Sequence, residues 1–172
     1  TVAYPPVNAL SRSMRQAIIG GISAAQAHPD VQAIVFICDG RTFLAGADIT
    51  EFGKPPQAPS LYEAQDLIEN STKPVIAAIH GTSLGGGLEV ALCCHYRVAV
   101  PSAKCGLPEV HLGLLPGAGG TQRLPRIVGA AKALDYVTAG THIPASECLA
   151  SGLVDAVVPE GEVRAGAVAF AR

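Results

Sequence analysis

The chain has 172 residues, is 49% apolar and carries a net charge of −2, with 12 Lys and Arg against 14 Asp and Glu. That is enough apolar material for the core of one domain of ordinary size. Near-neutral charge without a basic block argues against a nucleic-acid surface or an anionic membrane as the main partner, and no apolar run reaches the length of a membrane span.

Residues 11–28 (SRSMRQAIIGGISAAQAH) place apolar positions at helical spacing behind a Ser start signal. Residues 31–38 (VQAIVFIC) read as a buried strand rich in β-branched side chains. Asp39-Gly40 turns the chain into a loop that runs through Ala45-Gly46-Ala47-Asp48, and the Pro-rich 53–60 (GKPPQAPS) is a surface loop. A helix follows over 61–71, then a strand over 74–80 (PVIAAIH), then a helix that begins within the Gly85–Gly87 triplet and ends near Cys94. Residues 96–100 form a short strand, residues 112–115 end at Pro116, and Gly117-Ala-Gly-Gly120 opens a helix near Thr121. Helices over 130–138 and 145–151, a late strand over 154–158 and a helix from 162 to the last residue complete the pattern. Strands alternating with helices imply α/β layering with parallel pairing, within one domain over residues 1–172.

Five cysteines (Cys38, Cys93, Cys94, Cys105, Cys148) are odd in number and form no CxxC pair. They read as reduced, mostly buried thiols of an intracellular protein. His28, His80, His95, His111 and His142 make no ligand-like i, i+4 pair, so no metal site is expected. There is no signal-peptide pattern at the start, and the first residue is Thr rather than Met, which leaves room for a trimmed leader.

The stretch GTSLGGGLE (residues 81–89) raises the functional question, because three consecutive glycines are costly to order. A dinucleotide fingerprint needs Gly at fixed offsets and an acid about 20 residues on, and neither Gly85–Gly87 nor Gly117–Gln122 has that spacing. No Gly-Lys-Ser/Thr follows either, so a P-loop is absent. Two readings remain. The glycines let the strand turn tightly into the helix, or they bare the first amides of that helix as an oxyanion hole, with a second donor from the Ala45–Asp48 loop.

Glu89 lies just behind the triplet and Glu109 lies 20 residues later in Gly106-Leu-Pro-Glu-Val. Apolar neighbours (Leu88, Val90, Leu107, Val110) predict raised carboxyl pKa values, and such a pair can divide acid and base duties. A salt bridge or helix cap is the plainer role for either one alone. Asp48 is expected to cap or brace its loop, Gln122 and Arg123 to tie loops together, and His111 to do no more than tune Glu109. Asp135 and Tyr136 belong to an ordinary amphipathic helix.

GTSLGGGLEVAL, with AGADI upstream and GLPEVHLGLLPGAGGTQRLPR downstream, resembles the enoyl-CoA hydratase/isomerase (crotonase) superfamily. The resemblance runs from Pro5-Pro-Val-Asn-Ala9 to Gly152-Leu-Val-Asp-Ala156, with four motif blocks in the family's order and spacing. Cys94-His-Tyr-Arg-Val98 is especially similar to the hydratase/isomerase module of multifunctional β-oxidation enzymes, in which an NAD-dependent 3-hydroxyacyl-CoA dehydrogenase follows on the same chain. The resemblance implies a spiral of repeated ββα units and a homo-oligomer, trimer or hexamer, if free-standing. It assigns the amides of Ala47 and Gly86 to the thioester oxygen, Glu89 and Glu109 to water activation and proton exchange at the α-carbon, and the Gly117 amide to the water. Ala45, Gly46, Asp48, Ile49 and Gly85 would line the CoA channel.

The implied reaction is hydration of 2-enoyl-CoA in fatty-acid β-oxidation, with coenzyme A as part of the substrate and no separate cofactor or metal. Δ3-Δ2-enoyl-CoA isomerisation, or a non-catalytic acyl-CoA-binding or assembly subunit, are the alternatives. The implied compartment is the cytoplasm of a bacterium, or the peroxisome or mitochondrial matrix of a eukaryote. The family often has Lys after the AGADI-type block, where this chain has Thr50, with Lys54 nearby. The family's first strand and its C-terminal helical region are expected to be missing.

Overall fold

A computed structural model describes residues 1–172. The α-helices are α1 (Arg12–Ala27), α2 (Leu61–Glu69), α3 (Gly86–Cys93), α4 (Gly120–Val128), α5 (Ala130–Ala139), α6 (Ala145–Ala150) and α7 (Val163–Phe170). The strands are β1 (Ile34–Ile37), β2 (Val75–Ile79), β3 (Thr82–Leu84), β4 (Tyr96–Ala99), β5 (Lys104–Gly106), β6 (Ile143–Pro144) and β7 (Ala156–Val157). Two 3-10 turns, Ile49–Glu51 and Pro108–Leu112, sit in the longer connections.

Local chemistry sets the helix starts. Ser11 caps α1 by accepting from the Met14 amide, and Met14, Ile18 and Ile22 then fall on one buried face. Ser60 and Glu63 form a reciprocal capping box on α2, which ends the Pro-rich loop.

Four strands form one sheet in the order β1-β2-β4-β7, every neighbour parallel. All five residues of the central β2 are buried, as expected of a strand covered on both faces. Leu44, Leu88, Val75 and Ile79 belong to the main core, whereas Ile37, Ile76, Ala78 and Val98 pack with Ala167 of α7 on the sheet's other face. A second sheet has the order β3-β5-β6, with β3 and β5 parallel and β6 antiparallel to β5.

Three isolated parallel bridges extend this pattern: Val2 with Cys38, Ala9 with Gly46, and Leu44 with Ser83. The chain therefore steps from the first sheet to the second and then into a helix, again and again. Val2, Ala9 and α1 make one turn; β1, Leu44 and α2 the next; β2, β3 and α3 a third; β4, β5 and α4 a fourth. This is the anticipated spiral of ββα units. Near the start of the chain Val2 donates to Ile37 O and accepts from Asp39 N.

Several elements differ from the sequence reading. β3 and β5 have only three residues each and lie beside glycines, so neither shows an alternating pattern long enough to read. The late strand shrinks to Ala156–Val157 because Val154 turns into the core and Asp155 accepts from the Arg97 amide at 2.7 Å. Residues 112–115 follow a 3-10 turn and leave Leu112, Leu114 and Leu115 exposed.

Candidate active site

The three glycines at the start of α3 each meet a different demand. Gly85 has φ 52° and ψ −128°, a conformation open to glycine and little else. A Cβ there would also lie 2.9 Å from Glu109 Oε1. A Cβ on Gly87 would lie 2.2 Å from Leu44 O, so α3 begins hard against the neighbouring backbone. A Cβ on Gly86 would lie 3.8 Å from the Ala47 nitrogen and 3.1 Å from Leu10 Cδ1. The tight strand-to-helix turn and the bared amides are thus both present, on different glycines.

The Ala45–Asp48 loop is fixed from two sides. Leu44 O accepts from Leu84 N at 3.1 Å, and Gly46 O accepts from Leu10 N at 2.8 Å. Gly46 takes φ 114° to make this approach. Directly after these ties the Ala47 amide donates to no protein group. Gly86 is the first residue of α3, so its amide lacks an intrahelical acceptor and stands at the positive end of the helix dipole. Asp48 does what was expected of it: its carboxylate accepts from Thr50 N at 2.9 Å and from Thr50 Oγ1 at 2.7 Å, capping the 3-10 turn. Those bonds hold its carboxyl below the usual range. Glu51 in that turn pairs with the buried Arg15 at 2.8 Å, and Arg15 also donates to the carbonyls of Gln57 and Pro59, gripping the Pro-rich loop.

The two glutamates come from different turns of the spiral, near enough for the charge of Glu89 to act on Glu109. Glu89 is only 2% exposed. Its Oε1 accepts from the amides of Ala118 and Gly120, both at 2.8 Å, and its other oxygen has no protein donor. Burial raises its pKa, while the Gly120 and Ala118 amides and then the Arg123 charge pull it back. Glu109, in the second 3-10 turn, is half-buried, and its Oε2 is a buried atom without a partner. Burial raises its pKa too; its own amide counters this, and the nearby Glu89 charge pushes it further up. Both expected upward shifts are present, and neither glutamate forms a salt bridge with a cation.

A cleft of about 190 Å³ brings together Ala45, Gly46, Ala47, Ile49, Gly85, Gly86 and Glu109. Asp48, Glu89 and Gly117 are not on its wall. Gly117 belongs to the turn whose next residue, Ala118, holds Glu89. Phe52, Leu112 and Leu114 also line the cleft and were missed, although apolar residues crowding the loops beside AGADI and GLPEV were a signal. A larger hollow of about 350 Å³ lies between Pro74, Ile76, Tyr96 and Phe170, away from both carboxylates. The site is therefore located by its chemistry rather than by size.

Arg123 ties loops together as expected. Its guanidinium meets Glu69 of α2 at 3.0 and 2.7 Å and donates to Ala118 O at 3.2 Å. His111 is engaged elsewhere, with its Nε2 3.1 Å from Gly140 O. All five thiols are buried and free, and burial pushes Cys38 and Cys93 up to about 12.

Two amides without acceptors beside two desolvated carboxylates, mounted on a ββα spiral, define a crotonase-fold cleft suited to acid–base chemistry at an activated carbonyl. The chain belongs to the enoyl-CoA hydratase/isomerase family, whose model matches residues 1–172. It is 50% identical over 160 residues to the peroxisomal bifunctional enzyme of Danio rerio, covering 93% of this chain and 22% of that protein. It is 45% identical over 161 residues to a probable enoyl-CoA hydratase of Bacillus subtilis (strain 168), covering 90% of this chain and 62% of that one. The crystal structure of an enoyl-CoA hydratase from Bacillus anthracis superposes with a TM-score of 0.87 at 34% identity, over 95% of this chain and 66% of the other. The chain thus spans less than a quarter of the bifunctional relative and under two thirds of the shorter one.

Proposed function

We propose that this chain is the hydratase unit of an enzyme that adds water across the double bond of 2-enoyl-CoA thioesters in fatty-acid β-oxidation. The observation that carries the reading is the unequal pair of glutamates beside two unpaired amides. Glu89 is held by two amide donors, which favour its ionised form against the burial that raises its pKa. Glu109 has a buried oxygen with no donor, and burial and then the Glu89 charge favour its protonated form, so we assign Glu89 as the base and Glu109 as the acid.

The chemistry follows from that division. The thioester oxygen accepts from the amides of Ala47 and Gly86, which stabilise the negative charge that develops there by about 3 kcal/mol per donor. Water sits between the glutamates, oriented by the Gly117 amide. Glu89 takes its proton as the oxygen bonds to the β-carbon. The electron pair of the double bond moves to the α-carbon and thioester oxygen, and Glu109 delivers its proton to the α-carbon from the same face. Glu89 ends protonated and Glu109 ionised, and one proton passed between them resets the site. Ala45, Gly46, Ile49 and Gly85 line the path of the CoA arm, with Asp48 holding its wall in place. These steps call for no metal and no cofactor beyond the CoA of the substrate.

The names of the bifunctional and Bacillus relatives support this reading. By the same analogy, the native polypeptide either continues into a 3-hydroxyacyl-CoA dehydrogenase or assembles as a homo-oligomer. No helix is long and apolar enough to cross a membrane. The compartment follows the host: cytoplasm in a bacterium, peroxisome or mitochondrial matrix in a eukaryote. The test is to offer 2-enoyl-CoA and 3-enoyl-CoA separately to the full-length protein and follow products by absorbance and mass. Hydration of the 2-enoyl ester is expected. Turnover of the 3-enoyl ester alone would make the protein an isomerase, and binding with no turnover of either would make it a non-catalytic subunit.

A further inference from the structure

One face of α2 has a task that burial alone does not explain. Gln65 is 0% exposed, between the core residues Ala64 and Ile68. Its Nε2 donates to Ala118 O at 2.8 Å, while its Oε1 is buried without any partner. A buried amide with half of its bonding unmatched is less favourable than an apolar side chain of the same size. Nor is Gln65 needed to satisfy Ala118 O, because Arg123 Nη1 already donates to it at 3.2 Å. Tyr62, one helical turn earlier, donates from its hydroxyl to Gly117 O at 2.5 Å, and Glu69, one turn later, holds Arg123. Residues 62, 65 and 69 therefore form a stripe along α2 that grips the Gly117–Arg123 turn. That turn supplies both amides on Glu89 Oε1.

We propose that Gln65 is a positioning residue for the reaction. By fixing the Ala118 carbonyl, on the peptide between the two whose amides meet Oε1, it aims the amides of Ala118 and Gly120 at Glu89 and so sets that carboxylate's orientation and charge. The inference rests on the hydratase reading for its effect on turnover, but not for its effect on Glu89. Without Gln65 the Ala118 carbonyl is held by Arg123 alone, the amides drift from Oε1, and the carboxylate loses the donors that oppose its burial. Its pKa then rises. The other groups around Glu89 are unchanged by the substitution: Glu109 on the 3-10 turn, Arg123 on α4 and Cys93 on α3, the last two in turn beside Glu69 and Asp66 of α2.

The experiment compares Gln65→Met with wild type in the native full-length polypeptide. Met keeps the volume and removes the donor. The melting temperature is expected to stay within about 2 °C or to rise. Kcat for 2-enoyl-CoA should fall about tenfold with KM nearly unchanged, the size expected of a small misplacement of a catalytic group. The acid limb of the pH profile should move to higher pH, and the Glu89 carboxyl, titrated by 13C NMR, should move with it. Should Gln65→Met fail to fold, Tyr62→Phe at an exposed position carries the same test, with a loss of about threefold. An unmoved Glu89 titration overturns the proposal, whether or not activity falls. A wild type without turnover whose Glu89 titration still moves in the variant would overturn the hydratase reading and keep the positioning role.

Discussion

Replacing Glu89 by Gln separates the charge of this side chain from its shape. The carboxamide oxygen can keep both amide bonds now made to Oε1 at 2.8 Å, with the NH2 group in the place of the free oxygen. A hydrogen bond to a charged group contributes about 1.5–3 kcal/mol against about 1 for a neutral one, so losing the charge weakens the two bonds by about 1–4 kcal/mol together. The same change removes the burial of a charge. Burial is the larger influence, since the Glu89 pKa is raised despite two donors and a nearby Arg123. The folded site disfavours the anion relative to water, so a neutral isostere keeps or increases stability near pH 7. Catalysis moves the other way, because loss of a general base lowers the rate about 10²–10⁴-fold, or about 3–5 kcal/mol in the barrier. The assays are thermal melting and the loss of conjugated enoyl-thioester absorbance on hydration. A melting temperature unchanged or higher, with hydration down at least 100-fold, is the expected pair of results. A protein that melts lower yet turns over at the wild-type rate would refute both the assignment of the base and the reasoning about its burial.

Glu109→Gln tests the acid. Burial and the Glu89 charge raise the folded pKa above the unfolded one, so the native state holds this proton more tightly. The stability it contributes is present below the ordinary carboxylate pKa and is lost as pH rises through the raised value. The variant should therefore melt above wild type at neutral pH, with the gap closing below about pH 4, and should turn over neither 2-enoyl nor 3-enoyl ester. A gap that widens toward acid would contradict this sign. Gly86→Pro removes one proposed oxyanion donor at the first position of α3, where proline fits a helix. Hydration should drop about 100-fold or more with the far-UV spectrum intact, and a fully active variant would remove Gly86 from the oxyanion hole. Gly87→Ala forces a methyl to within 2.2 Å of Leu44 O, backbone that no rotamer change can relieve. The expected loss is about 3 kcal/mol, seen by calorimetry as a melting point about 6–12 °C lower, and an unshifted melt would show that α3 is not seated as described.

Much of this arrangement could be read from the residues. The helix α1 announced itself through its Ser11 cap and apolar spacing, and β2 through an unbroken apolar run, whereas the Ser60 capping box of α2 showed only in the structure. Bared amides at Gly86 were legible only as one of two readings of the glycine triplet, since Gly85 and Gly87 serve the tight turn and the close packing of α3. What stayed hidden is non-local. β3 and β5 are three-residue strands that exist because they pair with each other and with Leu44, which local pattern does not reveal. The partners of Glu89 lie 29 and 31 residues away, in a turn whose own sequence says only that it bends. Gln65 looks like a polar surface residue of α2, and only its contact 53 residues on explains its burial. Phe52, Leu112 and Leu114 gave a weak signal because exposed apolar side chains on loops carry no periodicity.

The most direct measurement is a crystal structure of the full-length protein with a slowly reacting 2-enoyl-CoA analogue bound. The thioester oxygen is predicted to lie about 2.7–3.1 Å from the nitrogens of both Ala47 and Gly86, with the α- and β-carbons facing Glu109 and Glu89. A thioester oxygen bound away from either nitrogen, or a double bond out of reach of both carboxylates, would contradict the account.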